Sequence, residues 1–328
     1  MNTNRLMMKS LDVKSFLKRN LMLVIFLITI IIMFATTPSF RRFSNIVGLF
    51  NQICIYGVAA VGMTFAIING EFDMSMGGVV SLASLMSAYV MKYMDQANPV
   101  VAILLGLAVG VVVGLVNGLL VTKLKINTFV VTLSTMVISY GVAQTFCDAL
   151  GVPSSITYNN DLLYNMGNGS IGGIPYFVWF FLVMVIVGEF ILRKTRFGRN
   201  VFAVGGNAEV CRASGININK NKMLVFLVCG ISASVAGIMM SAKMMTGSPA
   251  YAEDLPLTAI SAVVLGGTSM AGGSGSVVRT LLGLLILSLI TNIFNLLEIN
   301  IYVQNMVKGL IIVGTVTISN YLRYYRQS

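Results

Sequence analysis

The segment Arg193–Lys222 reads RKTRFGRNVFAVGGNAEVCRASGININKNK and lies between two long apolar blocks. It contains seven lysine and arginine residues and a single acid, Glu209. The positive-inside rule keeps a loop of this composition on the cytoplasmic side of a membrane. The segment therefore predicts both a membrane-embedded fold and its orientation.

A short helix is predicted within this loop. Asn207 is a favourable N-cap for Ala208–Ser214, and Gly215 suits the left-handed position after a helix. Glu209 and Arg212 match the helix dipole and have the spacing of an i,i+3 pair. We expect this helix to dock a cytoplasmic partner, although an ordinary surface helix is the alternative. Gly205 and Gly206 are predicted to interrupt the chain just before this helix. The candidate docking residues are Gly205, Gly206, Asn207, Glu209, Arg212, Ser214 and Gly215.

The composition of the 328-residue chain is that of an integral membrane protein. Hydrophobic residues make up 56% and charged residues 10%, whereas soluble domains carry about 25% charged residues. The net charge of +11 resides in loops and ends, where it sets topology and meets anionic lipid, so nucleic acid is not an expected partner. The chain has no histidine and no CxxC pair, which excludes histidine-based metal sites and catalytic triads.

Apolar blocks predict about ten membrane spans, because a span needs about 20 predominantly apolar residues. From a cytoplasmic N-terminus at residues 1–20, ten crossings return the C-terminus to the cytoplasm. The expected fold is an all-α membrane protein, a polytopic helical bundle that forms one domain over residues 1–328. The blocks are Leu21–Thr36, Gly48–Ile68, Met76–Met91, Val100–Val121, Thr128–Phe146, Tyr176–Leu192, Met223–Lys243, Leu255–Gly267, Val277–Leu297 and Tyr302–Tyr321.

Two acids interrupt an apolar region in the sequence NGEFDMSMGG, which begins at Asn69. Glu71 and Asp73 are functional candidates because acids at membrane depth are costly. Asp73 or Ser75 could instead cap the helix that begins near Met76, and both interpretations remain open. A catalytic carboxylate pair would need a nucleophile or metal ligands nearby, and the sequence offers none.

A glycine-rich stretch, Leu265–Gly275, predicts a tight turn between a short, half-crossing helix and the next span. It lacks the GxxxxGKS/T spacing that cradles nucleotide phosphates, and no such motif occurs in the chain. We therefore expect no cofactor to be bound by this chain.

Polar residues within or beside the spans could line a solute pathway, although interhelical hydrogen bonding is an equal alternative. A small-residue stripe at Gly106, Gly110 and Gly114 predicts close helix packing, and Asp148–Pro175 predicts an irregular outer loop. The pathway candidates are Asn51, Gln52, Asn69, Glu71, Asp73, Ser75, Gln144, Asn292 and Asn295.

Three motifs resemble the permease subunits of ribose- and xylose-type sugar ABC importers. They are GEFDMSMGG at Gly70–Gly78, TRFGRNVFAVGGNAEVCRASGI at Thr195–Ile216 and AISAVVLGGTSMAGGSG at Ala259–Gly275. Their order and spacing extend over most of the chain. Glu71 and Arg279 depart from the pattern of that family, in which small residues are usual at both positions.

The resemblance implies a type II importer-like fold of about ten helices in a bacterial inner membrane. It implies a second permease copy or a close paralogue, an extracytoplasmic sugar-binding protein, and a cytoplasmic ABC ATPase that carries ATP and magnesium. Residues Asn207–Gly215 would form the helix that couples the permease to the ATPase.

Other transport classes remain open from the sequence. Related permeases carry branched-chain amino acids, nucleosides or furanosyl signal molecules. An ion-driven secondary transporter would need buried charge pairs at mid-membrane and no docking helix. Lys243 and Lys308 are the lysines available for such pairs, but we expect both to extend towards the membrane surface.

Overall fold

The computed structural model describes residues 21–94, 98–152 and 155–327, and the predicted cytoplasmic N-terminus at residues 1–20 lies outside them. The helices are α1 (Leu21–Thr36), α2 (Phe43–Ile68), α3 (Met76–Tyr93), α4 (Pro99–Lys123), α5 (Thr128–Ala149), α6 (Asp161–Asn168), α7 (Tyr176–Lys194), α8 (Arg196–Gly206), α9 (Ala208–Ala213), α10 (Ile218–Met244), α11 (Leu255–Leu265), α12 (Val277–Leu296) and α13 (Ile301–Gln327). A 3-10 turn (Pro38–Arg41) precedes α2, and two antiparallel pairs join β1 (Ile156–Thr157) to β4 (Thr246–Gly247) and β2 (Ser170–Ile171) to β3 (Ile174–Pro175).

Each predicted apolar block coincides with a helix. Among the described residues, six helices are long and apolar enough to cross a membrane: α2, α4, α5, α7, α10 and α12. The molecule is therefore an all-α, multi-spanning membrane protein. Helix α11 has 11 residues and is about 16 Å long, about half of the roughly 30 Å hydrocarbon core of a bilayer.

Helix α10 forms the centre of the bundle and packs against α2, α3 and α4. Its contact with α4 depends on the glycine stripe, as the sequence predicted. A Cβ atom at Gly110 would overlap the carbonyl oxygen of Gly230, and one at Gly114 would contact the Phe226 carbonyl. The two backbones approach closely because neither glycine carries a side chain.

Helices α11 and α12 form a tightly packed hairpin around the glycine-rich turn. A Cβ atom at Gly283 would overlap the carbonyl oxygen of Ala262, and one at Gly266 would overlap that of Arg279. The turn predicted for Leu265–Gly275 is confirmed.

The turns gather at two ends of the bundle. We call one the basic end; it consists of residues 69–75, 124–127, 195–217 and 266–276. The opposite end carries residues 150–152 and 155–175, together with β4, which pairs with β1. After β4 the chain enters the bundle, where the Tyr251 carbonyl accepts a hydrogen bond from the Ser81 hydroxyl of α3. Most lysines and arginines in the described turns lie at the basic end, with Arg41 and Arg42 as exceptions beside the start of α2.

Two parts of the structure differ from the sequence predictions. The expected irregular segment Asp148–Pro175 contains α6, because Asn160 caps this helix by accepting a hydrogen bond from the Leu163 amide at 3.0 Å. Leu163 is buried, and Gly167 lies against Ala242 of α10. Helix α8 was also not predicted.

The glycine stripe gives a stability prediction. In Gly110→Leu, the new side chain has no space against α10, so we expect the free energy of unfolding to fall by about 1–3 kcal/mol or more. Thermal unfolding of the detergent-solubilised protein would measure this. Gly141→Leu is the matched control, since a Cβ atom at Gly141 meets nothing within 4 Å. Equal melting temperatures for the two variants would contradict the packing account.

Candidate functional site

Three turns that are far apart in sequence meet at the basic end. The Gly273 amide donates a hydrogen bond to the Ile68 carbonyl, the last of α2, at 2.8 Å. Gly205 of α8 packs against the same carbonyl, and a Cβ atom there would overlap it. Gly272 lies against Gly205 in turn. The ends of α2 and α8 and the glycine-rich turn therefore form one backbone contact.

Helix α9 has the caps that the sequence predicted. The Asn207 Oδ1 atom accepts hydrogen bonds from the amides of Glu209 and Val210, both at 3.0 Å. Gly215 has a φ of +79° after the helix. The helix ends at Ala213 with Ser214 as its C-cap, and both Gly205 and Gly206 belong to α8, so the chain breaks after these glycines rather than at them.

One face of α9 packs on the protein and the other is free. Cys211 is buried in a cluster with Ile218, whereas Val210 is 60% exposed. Glu209 and Arg212 are exposed on either side. They form no ion pair with each other in the described part of the chain, although their spacing allowed one, because both side chains extend into solvent. The free surface of α9 is thus a small apolar centre bordered by charges.

The start of α10 is fastened to the turn that follows α2. Lys222 forms an ion pair with Glu71, whose carboxylate also accepts a hydrogen bond from the Thr128 hydroxyl. The side chain of Glu71 is 8% exposed and that of Lys222 28%. Asn221 donates its amide to the Asn69 Oδ1 atom at 2.7 Å. These contacts link the start of α10, which follows α9, to residues 69–71.

Asp73 is completely buried just before α3. Its Oδ1 atom accepts hydrogen bonds from the Ser75 amide at 2.9 Å and the Ser75 hydroxyl at 2.5 Å. The Ser75 hydroxyl in turn accepts a hydrogen bond from Asn117 of α4 at 2.9 Å. Ser75 lies at the N-cap position of α3, but neither side chain makes a capping hydrogen bond to the helix, because the Asp73 carboxylate accepts both the amide and the hydroxyl of Ser75 in a local turn.

A cavity of about 240 Å³ lies between α2, α11, α12 and α13. Gln52 of α2 lines it, as does an ion pair between Lys308 and Asp254, with 3.2 Å from Nζ to Oδ2. The prediction that Lys308 extends to the membrane surface is wrong, because Asp254 holds its ammonium inside the bundle.

The other predicted pathway residues do not line this cavity. Asn292 exchanges hydrogen bonds with Asn45 at 2.7 and 3.2 Å, and Asn295 accepts one from Gln304 at 3.0 Å. Gln144 is exposed on α5 and donates to Asp148 at 3.3 Å, and Asn51 is buried, with its Oδ1 atom unpartnered among the described residues. Asn292 and Asn295 thus join segments of the bundle.

Sequence reasoning missed two acids that organise the structure. Asp254 lies at the start of α11, and only its place before a short apolar helix could have drawn attention to it. Glu189 of α7 pairs with Arg193 at 3.0 Å and accepts hydrogen bonds from the Ser276 hydroxyl and the Val277 amide. It therefore fastens α7 to the start of α12.

The comparisons with known proteins agree with this architecture. Residues 45–316 match the family described as "Branched-chain amino acid transport system / permease component". The chain is 35% identical over 307 residues to the ribose import permease protein RbsC of Escherichia coli K12, covering 94% of this chain and 95% of the relative. It is 38% identical over 285 residues to the RbsC of Bacillus subtilis 168, covering 87% of both.

The L-arabinose transport system permease protein AraH of Escherichia coli K12 is 34% identical to this chain over 304 residues, covering 92% of this chain and 90% of the relative. No solved structure matches the chain significantly. The chain therefore belongs to this family of permeases, and it is a transport component rather than an enzyme.

The ion pair between Lys222 and Glu71 gives a second prediction. Lys222→Met leaves a nearly buried carboxylate with Thr128 as its partner, which should cost about 1–3 kcal/mol of folding free energy. Thermal unfolding in detergent measures the loss, and Lys220→Met is the control because Lys220 is exposed and its described hydrogen bond is made by the backbone amide. The double variant Glu71→Lys with Lys222→Glu exchanges the two charges and should recover part of the lost folding free energy. Equal stability of the two single variants would contradict a structural role for the pair.

Proposed function

We propose that this chain is the membrane-spanning permease subunit of an ATP-driven, binding-protein-dependent importer of a monosaccharide such as ribose or xylose. The observation that carries the proposal is the free surface of α9, which is attached through its neighbours to the three converging turns. A helix whose outward face is exposed among the described residues, placed where several membrane helices end, suits the transmission of force from another subunit. The names of the relatives, which are ribose and L-arabinose permeases, support a sugar as substrate.

The partners follow from the class of transporter. A cytoplasmic ABC ATPase would bind ATP and magnesium and receive α9 in a surface groove. An extracytoplasmic sugar-binding protein would deliver the substrate at the opposite end. A second copy of this chain, or a close paralogue, would complete the permease in the membrane.

The expected path of motion uses contacts within this chain. Displacement of α9 would move the start of α10 and, through the pair of Lys222 and Glu71, the turn that leads to Asp73. The same displacement would reach α2 through Gly205 and Ile68. In this way, closure of the ATPase could alternate the access of a pathway between the two sides of the membrane.

The proposed topology places the basic end in the cytoplasm by the positive-inside rule. About ten helices would then span or enter the membrane, in a type II importer-like arrangement, with both termini cytoplasmic in a bacterial inner membrane. Exposed apolar side chains on α4, α5 and α7 support contact with lipid on those faces. This proposal also includes the pathway roles predicted for Asn51, Gln52, Asn69, Glu71, Asp73, Ser75, Gln144, Asn292 and Asn295.

A second candidate function rests on one observation. The pair of Asp254 and Lys308 is the kind of charge pair within the bundle that an ion-driven secondary transporter needs. Such a transporter needs no docking helix, so it would not explain the free surface of α9. A permease for nucleosides, branched-chain amino acids or furanosyl signal molecules would keep the ATP-driven mechanism and change only the substrate.

The docking role of α9 can be tested with Val210→Asp. The side chain is exposed, so the helix should fold, while a charge at the centre of the docking surface should lower ATP-dependent uptake and ATPase co-purification at least tenfold. Asn219→Asp, an exposed position in the first turn of α10, is the control. Membrane abundance of both variants is measured by immunoblot. Wild-type uptake and ATPase recovery in Val210→Asp would refute docking through α9.

A further inference from the structure

We propose that the cavity between α2, α11, α12 and α13 binds a neutral, polyhydroxylated solute of pentose size, and that Asp254 and Lys308 hold its hydroxyl groups. This inference rests on the proposed function and adds the binding site and the chemistry of its ligand. Of the predicted pathway residues, Gln52 alone lines this cavity.

The size and position of the cavity suit a small transported solute. Pockets for drug-sized ligands occupy roughly 300–1,000 Å³, so about 240 Å³ suits a smaller molecule. Tyr56, on the cavity wall, lies about 20 Å from the start of the 26-residue helix α2. This is the middle of a membrane-spanning helix, the depth at which many transporters bind their substrates.

The polar groups of the cavity converge on Asp254. Its Oδ1 atom accepts the Tyr56 hydroxyl at 2.9 Å, and its Oδ2 atom accepts Lys308 at 3.2 Å and the Thr258 hydroxyl at 3.4 Å. A carboxylate offers about four acceptor sites and an ammonium three donors, so both groups retain capacity for a ligand. The Asp254 side chain is 41% exposed and that of Lys308 21%, and both residues line the cavity.

The charge balance of the pair favours a neutral ligand. Asp254 and Lys308 already neutralise each other, so an ion entering the cavity would find no uncompensated opposite charge. A sugar hydroxyl can donate to the carboxylate and accept from the ammonium in the same geometry. Most of the exposed lining surface is apolar, and Leu257 and Leu287 provide part of it for the C–H face of a sugar ring.

The first experiment measures uptake by cells that contain the whole importer, with radiolabelled D-ribose, D-xylose, L-arabinose and L-leucine as probes. Uptake of a pentose by the wild type is the expected result. Absence of pentose uptake, or uptake of L-leucine in its place, overturns the monosaccharide function and the cavity assignment with it. Once pentose uptake by the wild type is established, variants of Asp254 and Lys308 test whether the cavity binds the pentose.

Asp254→Asn and Lys308→Met should each lower the maximal rate of pentose uptake at least tenfold while membrane abundance and ATPase co-purification stay unchanged. Glu253→Gln is the matched control, since Glu253 is an exposed acid beside Asp254 that does not line the cavity. Uptake within twofold of wild type in both cavity variants, or the same loss in Glu253→Gln, overturns the inference while the proposed function stands.

A labelling experiment separates ligand contact from a structural role of the ion pair. Thr291→Cys places a thiol on the cavity wall, while the four native cysteines are buried. Saturating D-ribose should slow the reaction of this thiol with a hydrophilic methanethiosulfonate at least fivefold in membranes that contain the importer, and L-leucine should not. Equal rates with and without D-ribose, protection by L-leucine, or no reaction at all would each overturn the site.

Discussion

The basic end of this molecule depends on a backbone contact in which side chains have no part. The carbonyl oxygen that ends α2 at Ile68 accepts the Gly273 amide and lies so close to Gly205 that no Cβ atom fits between them. This contact satisfies one of the carbonyls that a helix end leaves unpaired. It also brings α2, α8 and the glycine-rich turn to one place, where α9 is presented to solvent.

Local signals in the sequence predicted local structure well. The ten apolar blocks coincide with helices, and the caps of α9 at Asn207 and Gly215 follow from residues within a few positions of each other. The half-length of α11 was also expected, because its apolar run is short. In each case the information that determines the structure lies inside the segment itself.

Features that depend on distant residues escaped prediction. Tyr56 and Asp254 are 198 positions apart in the sequence and form a hydrogen bond. The periodicity of apolar residues does not indicate such a contact. Of the two interpretations left open for Asp73 and Ser75, side-chain capping of α3 is not observed, because the Ser75 hydroxyl donates to Asp73 and accepts from Asn117 of α4. Glu71 departs from the pattern of sugar permeases, yet the structure supplies Lys222 as its partner. Nothing in the stretch around Glu71 revealed this compensation.

The short helix α11 has a consequence for the biogenesis of the protein. A segment about 16 Å long cannot hold itself across a bilayer core of roughly 30 Å, so α11 cannot be released from the insertion machinery as an independent span. Its close contacts with α12 at Gly283 and Gly266 supply the missing support. We therefore expect the two helices to enter the membrane together as a hairpin. This insertion step can occur only after α12 has been synthesised.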